Sequence, residues 1–539
     1  MKKIVLSAGG LIVGESLFVC YNRKRENNKF RVFILKFYRE INNMDKFNAP
    51  LFERLVEHAE GGHASLHVPG HKSGQGIDPA ARPYYESLLR LDLTEITGLD
   101  DLHHPEEVIL QAQQLAAECF GADETFFLIN GSTVGNLAMI MSVCRRGDLL
   151  LVQRDVHKSV IHGLMLAGAR AVFLNPEIDS ETGMALGVRA ETVRTALQKY
   201  PEAKGLLITR PGYYGGANAL ELIVQMLHEQ GKPLMVDEAH GAHFGFHPAL
   251  PKSALQCGAD VVVQSTHKLL TAMTMGAMLH VQGELVDRKE LKRYLTMLQS
   301  SSPSYPLMAS LDLSRRQMHT EGMELLEQGI RIIDGFLEKM NQVDRFELLE
   351  PGANQGIQRD PFKVIIKDAQ GQMSGFELKD ALEARGCFVE LADPQAVLLV
   401  FSLASTEQDA GRIVEALKAI AEQAPQGTAS SIAAAGESST GRTASYAALT
   451  GMSEPVSFDE PMARQKGTAQ VPLNDAIGML SAEMIVPYPP GIPVLCPGER
   501  ITAEIVDYLK QLIHMGGRIH GLIQGEQPML AVVITPKEL

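Results

Sequence analysis

Short apolar runs alternate with amphipathic ones along most of this chain, most regularly between about residues 112 and 320. ETFFLIN (124–130), DLLLVQ (148–153), AVFLN (171–175), GLLITR (205–210), PLMVDEA (233–239) and DVVVQS (260–265) are nearly continuous in apolar residues, as is Ala277–Val281. Such runs suit strands buried on both faces. Helical stretches between them, such as TVGNLAMIMSVC (133–144) and LELIVQMLHEQ (220–230), would supply the covering layers. The pattern predicts an α/β fold with a mostly parallel sheet, whose ligands bind at the carboxyl ends of the strands.

Beyond a helical stretch around 310–340, FKVIIKD, FELKDALEARG, VLLVFS and AGRIVEALKAIAEQ predict a smaller α+β domain. Residues 424–445 are small, polar and poor in aromatics, which suits a flexible linker. The expected organisation is a main domain with its N-terminal segment over 44–320, a small domain over 321–423, a linker over 424–465 and a C-terminal domain over 466–539. Residues 1–43 set an apolar stretch, broken by Glu15, between basic flanks. They are expected to form an extension outside the functional fold; a membrane anchor is the competing reading.

Composition changes the picture in two ways. A net charge of −14 argues against nucleic acid as the main partner. The six cysteines include no CxxC pair, which suits a reducing, cytoplasmic setting and offers no zinc motif. Neither a metal nor a membrane partner is expected.

Four groups sit where the predicted strands end. NGSTVGN (130–136) leads from a strand into a helix, so Ser132, Thr133 and the helix N–H groups can cradle an anion, although small polar residues also simply cap helices. RDVHKSV (154–160) places His157 just past a strand, either to pack flat on an aromatic ligand or to satisfy a turn. VDEAHGAHFGFH (236–247) ends a buried strand with Asp237, a carboxylate that needs a partner. The competing reading there is a metal held by His240, His243 and His247, but Gly241 and Gly245 oppose the helix that would align them, and no HExxH occurs. Lys268 follows the apolar VVVQS, with Ser265 and His267 beside it; it either snorkels to solvent or is buried and kept partly neutral. One cofactor accounts for an anion cradle, a stacking histidine, a buried aspartate and a reactive lysine together. That cofactor is pyridoxal 5′-phosphate, with Asp237 on the ring nitrogen and the aldehyde held by Lys268.

The same segments carry a family resemblance. LHVPGHKSG (66–74), LTEITGLDDLHHPEEVILQAQQLAAECFGA (93–122), FFLINGSTVGNLAMI (126–140), RDVHKSV, VDEAHGAHF, QSTHK (264–268), SSSPSYPLMASLD (300–312) and SAEMIVPYPPGIPVLCPGE (481–499) resemble the Orn/Lys/Arg decarboxylases in their shorter bacterial form. The resemblance implies a fold-type I, pyridoxal-phosphate-dependent large domain, a small α+β domain and a C-terminal decarboxylase domain. It implies decarboxylation of lysine, arginine or ornithine to the diamine or agmatine through a Lys268 aldimine. It also assigns roles: Asp237 pairs with the ring nitrogen, and His157 stacks on the ring. Ser132, Thr133, Ser265 and His267 surround the phosphate, Ala239 packs under the ring, and His240 lies near the reacting carbon.

A homodimer is implied too, with the Ser300–Pro306 segment reaching the partner's site. Residues 1–43 are too short for the N-terminal wing of larger members, so a decamer is not expected. Two segments depart from the family pattern, LLTAMT after Lys268 and TRPGYYGG (209–216). The cofactor alone would also allow an aminotransferase, for which Arg210 is a candidate carboxylate clamp, or a non-catalytic cofactor-binding regulator. For the substrate's head group, Glu483, Glu499, Asp100 and Asp101 are unranked candidates.

Overall fold

Each predicted apolar run of the main domain becomes a strand, and most of these strands are sealed from water. The computed structural model describes residues 45–423, 451–459, 467–488, 492–514, 517–523, 525 and 527–534, with three short strands nearer the N-terminus. The strands are β1 (Glu124–Leu128), β2 (Leu149–Gln153), β3 (Arg170–Leu174), β4 (Leu206–Thr209), β5 (Leu234–Asp237), β6 (Val261–Gln264) and β7 (Ala277–Val281). Every residue of β2, β5, β6 and β7 is buried. The sheet order is β3-β2-β4-β5-β6-β7-β1, with Val456–Ser457 antiparallel at the β3 edge. β3, β2, β4, β5 and β6 are parallel neighbours. β7 runs against both β6 and β1, so β1 points the same way as the parallel set.

Helices α1 (Gly131–Val143) and α2 (Lys158–Ala167) follow β1 and β2. Two glycines set how closely they pack. A Cβ at Gly135 would lie 2.5 Å from Val263 Cγ2 and 2.9 Å from Leu128 Cδ1, so α1 sits directly on β6 and β1. A Cβ at Gly163 would lie 2.6 Å from Ile140 Cδ1, which brings α2 equally close to α1. The start of α1 is therefore held at the end of β6, beside Ser265.

Helix α3 (Tyr305–Met340), 36 residues long, buries a stripe that includes Leu311, Met318, Leu326, Ile333 and Phe336. Beyond it an antiparallel sheet has the order β8 (Phe346–Leu349), β9 (Lys363–Asp368), β11 (Ala396–Val400), β10 (Leu391–Ala392). Helices α4 (Gly375–Glu383) and α5 (Glu407–Gln423) accompany it; a capping box between Ser374 and Glu377 starts α4. Residues past 466 build a further sheet from Gly467–Pro472, Met529–Ile534 and Leu480–Ser481. With the Ala503–His514 helix this piece has its own core, including Ile485, Val506, Leu530 and Val532.

Within the Met1–Asn48 unit the strands Val5–Ser7, Gly10–Ile12 and Phe18–Val19 pair antiparallel. The rest of residues 1–43 and, of the linker expected over 424–465, residues 424–450 and 460–465 lie outside the described residues. Residues 451–459 lie within them, and Val456–Ser457 is paired at the β3 edge because its backbone completes that edge of the sheet. Among the described residues no helix is long and apolar enough to cross a membrane.

Filling the contact at Gly135 should cost stability in a readable way. Gly135→Val is expected to destabilise by ~1–3 kcal/mol through overpacking. Gly411→Ala, in α5 with nothing within 4 Å of the added carbon, is expected to be neutral or slightly stabilising. The urea midpoints of the two variants against wild type check both outcomes.

Candidate active site

The chemistry-bearing residues gather at the carboxyl ends of β1, β2, β5 and β6 because those strands point the same way. β1 enters α1 through Gly131, whose φ of +74° a side chain rarely tolerates. β2 runs into His157, the N-cap of α2. β5 ends on Asp237, and β6 passes through Ser265 into the single turn Thr266–Leu269, which carries Lys268.

A hydrogen-bonded chain joins three of these ends. Asn136 Nδ2 donates to Asp237 Oδ2 at 2.8 Å and to Ser159 Oγ at 2.9 Å, using both its amide hydrogens. Ser159 Oγ lies 2.9 Å from His157 Nδ1, which also accepts the Ser159 N–H at 3.2 Å. With Nδ1 accepting, the proton of a neutral imidazole sits on Nε2. Burial lowers the His157 pKa, against the pull of Asp237, and so favours that neutral form. The other Asp237 oxygen accepts the Ala239 N–H at 3.1 Å. The aspartate is 3% exposed, and its partners are an amide and a backbone N–H.

Lys268 Nζ lies 3.0 Å from His240 Nε2. Burial lowers the lysine's pKa, with Asp237 and Glu390 opposing. The fully buried His240 is driven well below its ordinary range by burial, then by the charges of Lys363 and Lys268. The Tyr213 ring packs against His240 at 4.9 Å between centroids. The arrangement is an amine held by a neutral imidazole, with its nitrogen biased toward the unprotonated, nucleophilic state.

Ser265 Oγ donates to Ser132 Oγ at 2.8 Å, joining the two halves of the expected phosphate cradle. Thr133 is exposed beside them, and no side chain caps the first turn of α1. His267 Nδ1 lies 3.0 Å from the Gly276 carbonyl, and burial lowers its pKa. These residues fit pyridoxal phosphate on structural grounds. A 13-residue helix opens toward the site with its first turn uncapped, and a buried carboxylate has no cationic partner within ion-pair distance among the described residues.

Other candidates are committed elsewhere. His243 Nε2 bonds Asp360 at 3.0 Å and His247 Nε2 bonds Glu327 at 2.8 Å, so the three histidines of the metal reading have three different partners. Arg210 donates to the carbonyls of Asn218 and Lys252 at 2.7 and 2.9 Å and faces Glu238, which takes it out of play as a carboxylate clamp. Glu499 pairs with Arg154 at 2.9 Å and accepts the Cys496 N–H at 2.6 Å. Asp100 accepts four backbone N–H groups at the start of the 108–120 helix, and Asp101 accepts that of His103. Of Ser300–Pro306, Tyr305 and Pro306 are buried in α3, while Ser300, Ser301 and Ser302 stay exposed.

Asn136 and Ser159 fall within NGSTVGN and RDVHKSV, whose pattern gives neither a role of its own. The available signal was a polar residue on the otherwise apolar stretch NLAMI. Tyr213 carried no such signal, because its meeting with His240 depends on a loop closing over the β5 end.

Comparison with known proteins completes the picture. The chain matches the family model "Orn/Lys/Arg decarboxylase, major domain" over residues 49–370 and "Orn/Lys/Arg decarboxylase, C-terminal domain" over 444–526. It is 41% identical to the uncharacterized protein YaaO of Bacillus subtilis (strain 168), covering 91% of this chain and 100% of that one. It is 36% identical to the arginine decarboxylase of the same organism, covering 92% and 100%. The crystal structure of the Francisella novicida lysine decarboxylase LdcF superposes with a TM-score of 0.79 at 23% identity, over 94% of this chain and 84% of that one.

Breaking the Arg154–Glu499 pair separates its structural part from any substrate role. Arg154 is 4% exposed and also donates to the Val494 carbonyl at 3.0 Å. Glu499→Ala leaves that buried cation without its carboxylate and is expected to cost ~3–5 kcal/mol. Denaturation midpoints check the loss; the KM for substrate should stay within about twofold, since a carboxylate bonded to Arg154 does not receive the head group.

Proposed function

The chain belongs to the Orn/Lys/Arg decarboxylase family, and on that premise we propose that it is a cytoplasmic homodimer whose preferred substrate is L-arginine. The activity itself is that of the family, pyridoxal-phosphate-dependent decarboxylation of a basic amino acid by a carboxy-lyase. Arginine is favoured over lysine because the arginine decarboxylase of B. subtilis is 36% identical over 100% of its length, whereas the lysine decarboxylase LdcA of Pseudomonas aeruginosa is 27% identical over 75% of its length.

The observation that carries the residue assignment is the Lys268–His240 contact beside the buried Asp237. In this reading Lys268 Nζ is the amine that takes the cofactor aldehyde, and His240 orients it. Asp237, held from two sides by Asn136 and the Ala239 N–H, would keep a proton on the ring nitrogen. His157, fixed by Ser159, would lie against the ring, and Ala239 would pack beneath it. Ser132, Thr133, Ser265 and His267 would receive the phosphate at the start of α1. When bound, the cofactor supplies an electron sink for the pair left as carbon dioxide departs.

Exposed apolar residues support the second subunit. The Arg82–Leu89 helix buries none of its residues and leaves Tyr84 84% exposed; Leu66, 95% exposed, lies in the preceding segment. The occupant proposed for this face is a second copy of the chain. The five described cysteines are all free, in keeping with a reducing compartment.

Two experiments test the reading. Purified protein given L-arginine should release carbon dioxide and agmatine, with kcat/KM at least about tenfold above that for L-lysine, a gap of ~1.4 kcal/mol. Lys268→Ala should lose both this activity and the visible absorbance of lysine-bound cofactor. Requirement for a 2-oxo acid acceptor without carbon dioxide release, or a preference for lysine, would refute the proposal at different levels. Light scattering should give twice the monomer mass, and Tyr84→Glu should weaken the dimer about tenfold or more; a monomeric wild type rules the homodimer out.

A further inference from the structure

Lys363 opens β9 at 2% exposure, and no carboxylate among the described residues lies within ion-pair distance of it. Its ammonium donates to the Tyr213 carbonyl at 2.7 Å and lies 5.9 Å from the centroid of the Tyr213 ring. Asp360, three residues earlier, directs Oδ1 to His243 Nε2 and to the Phe362 N–H. A buried ammonium whose partners among the described residues are one carbonyl and one ring, with no carboxylate, is expensive. Joining the two segments does not require it, because Gly216 and Ala217 already pair with Arg359 and Gln358 along the backbone.

The surroundings suggest what the charge does. Tyr213 is the ring packed on His240, and His240 holds Lys268. We propose that Lys363 is a positioning residue for the decarboxylation, pinning the Tyr213 backbone against His240 and setting a positive charge beside the Lys268–His240 pair. This rests on the reading of Lys268 as the cofactor's amine.

The charges around the pair can be set out by sign. Asp360 and Glu390 favour the charged form of Lys363, while burial and Lys268 oppose it. His240 faces Lys363 and Lys268, and also His157 and His243. Lys268 is drawn toward its charged form by Asp237 and Glu390. Burial brings Lys363 down to about 8, so it is charged at neutral pH and loses that charge as the pH rises through this value. While charged, it disfavours a proton on His240 and on the Lys268 nitrogen.

The test is a pH titration of the visible absorbance of cofactor-loaded, full-length protein, which reports the proton on the Lys268 nitrogen. Lys363→Met should raise the midpoint by about one pH unit or more, a tenfold gain in proton affinity, with kcat falling more than KM changes. Lys363→Arg, which keeps the charge, should hold the midpoint within about 0.3 unit. Glu390→Gln removes a negative charge facing the same pair and should move the midpoint down. An unmoved midpoint in Lys363→Met overturns the proposal, as does a shift in Lys363→Arg equal to that in Lys363→Met. If Lys363→Met does not fold, Glu390→Gln and Lys363→Arg decide, and a midpoint that rises in either one overturns it. The parent reading fails separately, by survival of the visible band in Lys268→Ala.

Discussion

Asp237 ends a strand whose four residues are all buried, and a carboxylate in that position must be matched by groups of the protein or by something the protein binds. The protein matches it only partly, through an amide hydrogen from Asn136 and the N–H of Ala239. Much of the site follows from this constraint. Asn136 must face the sheet, so α1 must lie close to it, and Gly135 makes that approach possible where any side chain would meet Val263. The second hydrogen of the Asn136 amide then sets Ser159, and Ser159 sets the tautomer of His157. One buried carboxylate thereby orders groups carried at the ends of three strands.

Around that anion the environment is poor in protons. Burial lowers the pKa of His157, His240, His267 and Lys268, and it brings Lys363 to about 8. The imidazoles are thereby biased toward their neutral forms, and Lys268 toward the unprotonated, nucleophilic one that can attack a carbonyl carbon. Lys363 keeps its charge at neutral pH. The electrostatics suit cofactor capture by an amine, in agreement with membership of the decarboxylase family.

Elsewhere buried charge serves the architecture. Arg154 stacks on Phe173 at 4.9 Å and reaches Glu499 and the Val494 carbonyl, so the end of β2 is tied to the segment that follows residue 492. Arg210 faces Glu238, which burial raises to about 7 although the arginine opposes this. Glu238 also accepts from Gln264 at 2.8 Å, which braces β5 against β6 directly behind Asp237 and Ser265. Glu238 is the next residue after Asp237, and only their partners tell the two acids apart.

The amino-acid sequence by itself determined the parallel sheet, because runs such as LLLVQ and VVVQ have no polar face to offer water. It also marked Asp237 and Lys268, since charged residues at the ends of such runs need an explanation wherever the chain goes. The helix over 133–144 and the small domain's strands were legible for the same reason of periodicity. Tertiary structure alone decided the rest. Glu499, Asp100 and Arg210 look as available in sequence as any charged residue, and only the fold shows them bonded to Arg154, to backbone N–H groups and to distant carbonyls. Asn136, Tyr213 and Lys363 matter through contacts spanning 101, 27 and 150 residues, between Asn136 and Asp237, Tyr213 and His240, and Lys363 and Tyr213. Local pattern reports which side of an element meets water; which residue it meets across the core depends on how the elements pack, and that is a property of the whole chain.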